Sequence, residues 1–525
     1  MQEKMSKKFA YAKYLLYLCT PKRVIVSRLR TKINQQNLFI MRKIFLSLAA
    51  LTIAVAANAF TLQFNNGDKT ISITSAVDNA DVLEDGGSVA VAFDAANKTI
   101  NVTFDNATLQ SDVNGELFYF KYEDADYKDV EVTLKGKNYL IGDGQWTKPI
   151  KIDGPYDGGT VYAHLKFHSG GPGAELNISG KTMLVQMNYN SKMTFGNMFE
   201  IPFQLNITST SENQKIFYGA CGIDDSVELM LYCDLNIKTT GNNQIVGLDG
   251  GSGPGTLKLG DYYKIRTDGV SVENNTFVKD GNPYKGDFVL VNACPIIVGT
   301  ERVYTDEECK PAGLKAGKIS LDKATGSLIL DNVELSDNMV GMISEVTIYL
   351  KGNNVMNNPD ESTDPRIAFL AETVKIAGEE SAKLTIDGNN KCAGVGLLAH
   401  VEIGDFGKLI IKDVTEGITG ATTAVLTLNK TPMDIKSASG AIINFANIVE
   451  AGSGMEWSPA ATYNTTTNAL EDADGNKLNE VKYFNPTSIN QVVNSNVVGS
   501  KFIHNGQLYI LRDGKTFTVT GQEVK

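Results

Sequence analysis

The chain has 525 residues, 42% of them hydrophobic, with 49 Lys and Arg set against 60 Asp and Glu. Its formal charge of −11 at pH 7 repels phosphate polyanions, which argues against nucleic acid as a partner, and offers carboxylates to cations. Six cysteines at wide spacing make neither a disulfide framework nor a zinc cluster.

Residues 1–40 carry nine Lys and Arg against one Glu, and Met41 follows them. They are expected to be a misassigned upstream extension; a long n-region and a basic interaction arm are the rival readings. Arg42-Lys43, the apolar run from Ile44 to Ala57 and the exit Ala57-Asn58-Ala59 predict a secretory signal peptide over 41–59. Its apolar run is too short to span a bilayer comfortably. Cleavage after Ala59 exposes Phe60, not a cysteine, so no lipid anchor is expected there. Without these residues the formal charge is near −21, and Cys19 is removed. Cys221 with Cys233, or Cys294 with Cys309, could then pair; inert core thiols are the alternative.

From Phe60 onward an apolar-x-apolar run, a glycine turn and a second such run recur. Leu165-Lys166-Phe167 precedes Leu176-Asn177-Ile178, Val246-Gly247-Leu248 precedes Leu257-Lys258-Leu259, and Val374-Lys375-Ile376 precedes Leu384-Thr385-Ile386. Alternation of this kind buries one face of each strand, and a turn that restores the pattern stacks like on like. Val346, Val374 and Val401 each open such a run, at intervals of 28 and 27 residues, about one rung of a parallel β-helix. Asn-Asn follows glycine at Gly241, Gly352 and Gly388, where sharp bends favour residues that tolerate positive φ. A coarser repeat matches Phe93–Leu109 to Leu321–Leu335, and 132–138 to 348–354.

The predicted fold is therefore all-β: a parallel right-handed β-helix or solenoid in two related segments, 60–310 and 311–465, followed by a linker over 466–500. The tail, 501–525, with Asn505-Gly506 and Asp513-Gly514, predicts a small antiparallel meander. Through Arg512-Asp513-Gly514-Lys515 and Val519-Thr520-Gly521-Gln522-Glu523-Val524 it resembles the C-terminal sorting tails of type IX secretion in Bacteroidota, but lacks the longer β-sandwich half. That resemblance implies handling by an export machinery and a place outside the cell or on its outer surface. A simple capping meander is the alternative.

The units Leu330-Asp331-Asn332-Val333, Val346–Asn354 and Lys383-Leu384-Thr385-Ile386-Asp387-Gly388 resemble the right-handed β-helical carbohydrate-binding domain proteins, which share a fold with pectate lyases. The resemblance implies a polysaccharide or cell-surface glycan as partner, with calcium as a conceivable companion. Trp146, Tyr139 and Trp457 are the candidate sugar-stacking residues, because an aromatic face matches the apolar side of a pyranose. Asp224, Asp225 and Asp331 are the candidate calcium ligands, although turn formation is the commoner role of such aspartates. His164 and His168, four apart on a predicted strand, share a face and could form a metal pair. Of the pectin-hydrolase machinery, Asp224-Asp225 is present, but no Gly-His-Gly occurs and Lys264-Ile265-Arg266 reverses the Arg-x-Lys order. Asp472-Ala473-Asp474-Gly475-Asn476 fails the EF-hand register and predicts a β-turn. The expected function is glycan binding without catalysis; an adhesin for a protein partner and a divergent polysaccharide lyase are the alternatives.

Overall fold

The computed structural model describes residues 60–67, 69–74, 80–81, 87–122, 127–156, 161–359, 362–452 and 454–486, and in the tail 499–504, 507–512, 515–518 and 522–524. The upstream extension, the signal peptide and Cys19 lie outside the described residues. Those described form strands and turns, with no helix among them.

Residues 99–259 are a parallel β-helix whose rungs each give one strand to three sheets. Sheet I runs through Thr99–Asp105, Asp129–Lys135, Ala163–Ser169, Ser191–Phe195, Val227–Leu231 and Gly255–Leu259. Sheet II stacks Thr108–Ser111, Lys137–Gly142, Glu175–Gly180, Gln204–Ser209 and Asp234–Thr239. Sheet III stacks Glu116–Tyr122, Lys148–Asp153, Val185–Asn188, Lys215–Ala220 and Gln244–Gly247. Alternation sets the inward face: Val130, Val132 and Leu134 are buried, as are Leu165 and Phe167 opposite them one rung on. Burying each such side chain contributes about 1.5–3 kcal/mol.

The second segment repeats the plan. Val346, Val374 and Val401 lie opposite one another on successive parallel strands, as their spacing predicts. Asn353–Asn357, Lys383–Asp387, Lys408–Val414 and Met433–Ser437 form its sheet II. The coarser repeat is also structural. Ser88–Asp94 pairs antiparallel with Thr99–Asp105, and Leu314–Asp322 pairs antiparallel with Ser327–Leu335, so each parallel stack starts from the same hairpin.

The chain turns a corner at an asparagine of positive φ, Asn106 at 49° directly after the first hairpin and Asn332 at 51° within the second strand of the other. Gly136 and Gly352 lie against these asparagines, and a Cβ at either would sit 2.2 Å from the amide oxygen. Two residues on, a fully buried asparagine closes the corner. Asn138 accepts a hydrogen bond from the Ala107 amide at 2.8 Å and donates to the Lys135 carbonyl; Asn354 does the same with Val333 at 2.9 Å and Lys351. These side chains stand in for backbone partners that the bend removes.

Between the segments the chain turns antiparallel. Strand Phe288–Val298 pairs with Asp234–Thr239 near one end and with Met339–Met342 at the other. The apolar core changes over between Leu290 and Cys294, upstream of the boundary expected at 310. Asp234, buried at this junction, accepts hydrogen bonds from the Asn292 amide and the Thr305 hydroxyl and pairs with Lys323 at 2.8 Å. Burial raises its pKa, an effect that Lys323 only partly offsets.

The stretch expected as a linker contributes strands as far as Phe484. Glu480–Phe484 pairs antiparallel with Met433–Ser437, and Ile443 pairs with Ala469, so 469–484 caps the second segment. The turn at 472–476 is closed by Asp472, whose carboxylate accepts the Asp474 and Asn476 amides. In the tail, Gly499–His504, Gln507–Arg512, Lys515–Thr518 and Glu523–Val524 form the expected meander. All five cysteines from Cys221 to Cys392 are free and buried.

Candidate functional site

Trp146 lies in the corner between Lys137–Gly142 and Lys148–Asp153, with its side chain out in solvent at 57% exposure. The corner is held from below. The Trp146 amide donates to Asn114 Oδ1 at 2.9 Å, and the buried Thr147 hydroxyl donates to the Val113 carbonyl at 2.7 Å. Asn114 and Thr147 line an open cleft of about 360 Å³ whose other polar walls are Gln63, Asn65, Thr70, Ser111 and Glu116. The Asn65 amide donates to the Glu116 carbonyl, and Glu116 in turn pairs with Lys151 at 3.4 Å. Lys151 is half-buried on the outer face of sheet III; burial lowers its pKa, but Asp153 and Glu116 outweigh this and raise it. Trp146 does not itself line this cleft, but its neighbour Thr147 does; an exposed indole next to such a polar cleft can hold the apolar side of a sugar ring while the ring's hydroxyls hydrogen-bond the wall.

The other expected stacking residues are elsewhere. Tyr139 stands on the outer face of sheet II, opposite Asn177. From it a row of amides continues along the sheet. Asn206 donates to Asn177 at 3.0 Å and Asn236 to Asn206 at 3.5 Å. This row is a second polar face, and the Asn-Asn pattern did not reveal it. Trp457 is no platform: only 9% exposed, it packs on Tyr483 with ring centroids 4.6 Å apart, and its indole donates to Glu450 at 2.6 Å. The antiparallel cap has taken it into the core. Of the tyrosines that precede Tyr139 in sequence, Tyr122 and Tyr127 pack against the core, and Tyr119 donates to Asp153 at 2.6 Å.

Asp224, Asp225 and Asp331 do not form a calcium site. Asp225 is buried and accepts from Asn190 at 2.8 Å; Asp224 beside it is exposed; Asp331, in the second segment, accepts from Asn332 at 2.8 Å. Among the described residues no group of three acids, histidines or cysteines is placed to hold a metal. His164 and His168 do share a face, but each has its own neighbours. His164 hydrogen-bonds Thr194 at 2.8 Å, while His168 Nδ1 lies 3.8 Å from Glu200. Burial, helped by Lys166 and Lys192, pushes the His164 pKa down to about 3, so the ring is neutral at physiological pH.

Two larger clefts flank the contact between segments, where the Ser344 amide donates to the Phe199 carbonyl at 3.0 Å. One, of about 490 Å³, lies between the glycine-rich corner 170–173 and the outer row Thr347, Lys375 and Glu402. The other, of about 520 Å³, is lined by Met198, Phe199, Tyr232, Tyr262, Arg302 and Met342 among others. Sequence reading missed both because their walls come from different segments. No family model matches the chain, and no curated protein or solved structure matches it either.

Proposed function

We propose that this is an exported, surface-exposed β-helical protein that binds a polysaccharide without turning it over, and that Trp146 and the cleft beside it are its sugar seat. The observation that carries this reading is the pairing of a solvent-exposed indole with a polar cleft to which its own corner is hydrogen-bonded through Asn114. Holding the platform at its backbone reduces the ordering cost of binding. The apolar segment at 44–57 and the four-stranded tail support export to the cell surface.

Purified residues 60–525 would be screened on plant, host and bacterial polysaccharides, with Ca²⁺ and with chelator, while ultraviolet absorbance is followed for unsaturated products. Retention of one glycan class without product is expected. Trp146→Ala should weaken that binding at least tenfold, about 1.4 kcal/mol. An unsaturated product would replace the proposal with a lyase, and full retention by the Trp146→Ala protein would remove the seat from this corner.

A further inference from the structure

The cleft lined by Phe199, Tyr262 and Arg302 combines features that the sugar seat lacks. Met198, Phe199, Tyr262 and Met342 are each roughly half exposed around it, a concentration of apolar surface unusual for one spot on a folded protein. The apolar surface continues beyond the cleft. Met342 lies opposite Leu370, and Leu370 opposite Leu398, on successive parallel strands, and all three point outward with about half their surface in water. At the spacing of neighbouring strands, this row extends the apolar surface by roughly 10 Å.

At the head of the row stands a cation without a counter-ion. The Arg302 guanidinium lies over the Tyr262 ring, 3.6 Å from its centroid, and makes no ion pair or side-chain hydrogen bond among the described residues. Asp261 lines the same cleft and is not paired with it. Stacking on one face leaves the in-plane N–H groups of a guanidinium open, and their fork geometry matches a carboxylate. On a chain of net negative charge, such an uncommitted arginine favours a negatively charged group at this place.

We infer that this cleft is a binding site for an amphiphilic organic anion, with the anionic head on Arg302, the adjoining apolar body against Phe199, Tyr262 and Met342, and a long tail along Leu370 and Leu398. The site is separate from the Trp146 corner and does not depend on glycan binding. An extended tail uses the row; a compact neutral ligand would leave both the row and the charge unused.

The test is titration calorimetry of residues 60–525 with dodecanoate, dodecanol and dodecylammonium, all below micelle formation. Dodecanoate should saturate a single site. Its affinity should fall at least tenfold in Arg302→Met and severalfold in Tyr262→Ala, while Leu398→Ser should weaken dodecanoate more than hexanoate. Trp146→Ala should leave binding unchanged, which separates this site from the sugar seat. Absence of saturable dodecanoate binding, equal affinity for dodecylammonium, or unaltered binding by Arg302→Met would each overturn the assignment.

Discussion

The parallel stacks of the two β-helical segments start from the same hairpin and the same asparagine corner, yet they differ in the residues spent per rung and in their filling. In the first, rungs run from 28 residues, as from Ala163 to Ser191, to 38, as from Lys137 to Glu175. In the second, Val374 faces Val401 after 27 residues and Leu426 faces Ile448 after 22. Their fillings differ as well. The first segment is threaded by Phe64, Phe104, Phe118, Phe167, Phe195 and Phe217, each in ring contact with the next or with a shared neighbour; Phe167 and Phe195 stack at 4.9 Å. The second is filled mainly by valine, leucine and isoleucine. Rung length alone does not set the filling, since the Phe167–Phe195 stack crosses a rung of 28 residues, as does the step from Val346 to Val374; an interior packed to crystal density answers to the side chains that face it.

The strongest way to break this comparison is to empty the first tube. Phe195→Ala should cost about 3–5 kcal/mol, measured by urea unfolding, since it opens a cavity and removes the ring on which Phe167 stacks and Phe217 packs edge-on. A loss below that of an equivalent aliphatic truncation in the second segment would refute the aromatic filling as the stronger of the two cores.

Next in size is the junction. Asp234→Ala removes the only carboxylate paired with Lys323 among the described residues, leaving it its hydrogen bond to Gln204, and should cost about 3 kcal/mol, separating thermal unfolding into two transitions as the cores uncouple. Because the folded Asp234 binds its proton more tightly than the unfolded chain does, its contribution is complete below the ordinary carboxylate range and declines as pH rises through its elevated pKa. Asp234→Asn should remove that pH dependence, seen as a flatter profile of unfolding midpoints.

The smallest effect tests whether the shared corner is one device used twice. Asn138→Ala and Asn354→Ala each strand a buried amide N–H and should each cost about 1–3 kcal/mol. Equal losses in chemical denaturation would confirm equivalent roles, and a marked inequality would show that one copy has acquired other support.

Much of this architecture was legible in the sequence because strand alternation and rung spacing are local. Val346, Val374 and Val401 announced their own register, and the match of Phe93–Leu109 to Leu321–Leu335 announced two copies of one hairpin. Trp146 was legible as a candidate because the chain has only two tryptophans; its exposure was not, since that depends on which loop lies at a corner. Trp457 failed for the complementary reason. Nothing near it showed that 469–484 would return antiparallel and cover it. Asp224, Asp225 and Asp331 failed because nearness in space between turns is set by the number of residues per rung, which varies from one rung to the next. The Arg302 cleft could not be read at all, since Phe199, Tyr262 and Met342 meet only when two segments are placed side by side.

The paired hairpins also bear on the order in which the chain acquires structure. Each one joins strands separated by only a few residues, so it closes a short loop and can form before any distant part of the chain is present. A solenoid then grows rung by rung from whatever edge already exists. With two such starting edges, the second segment need not wait for the first to finish, and an error in one tube need not propagate through the other.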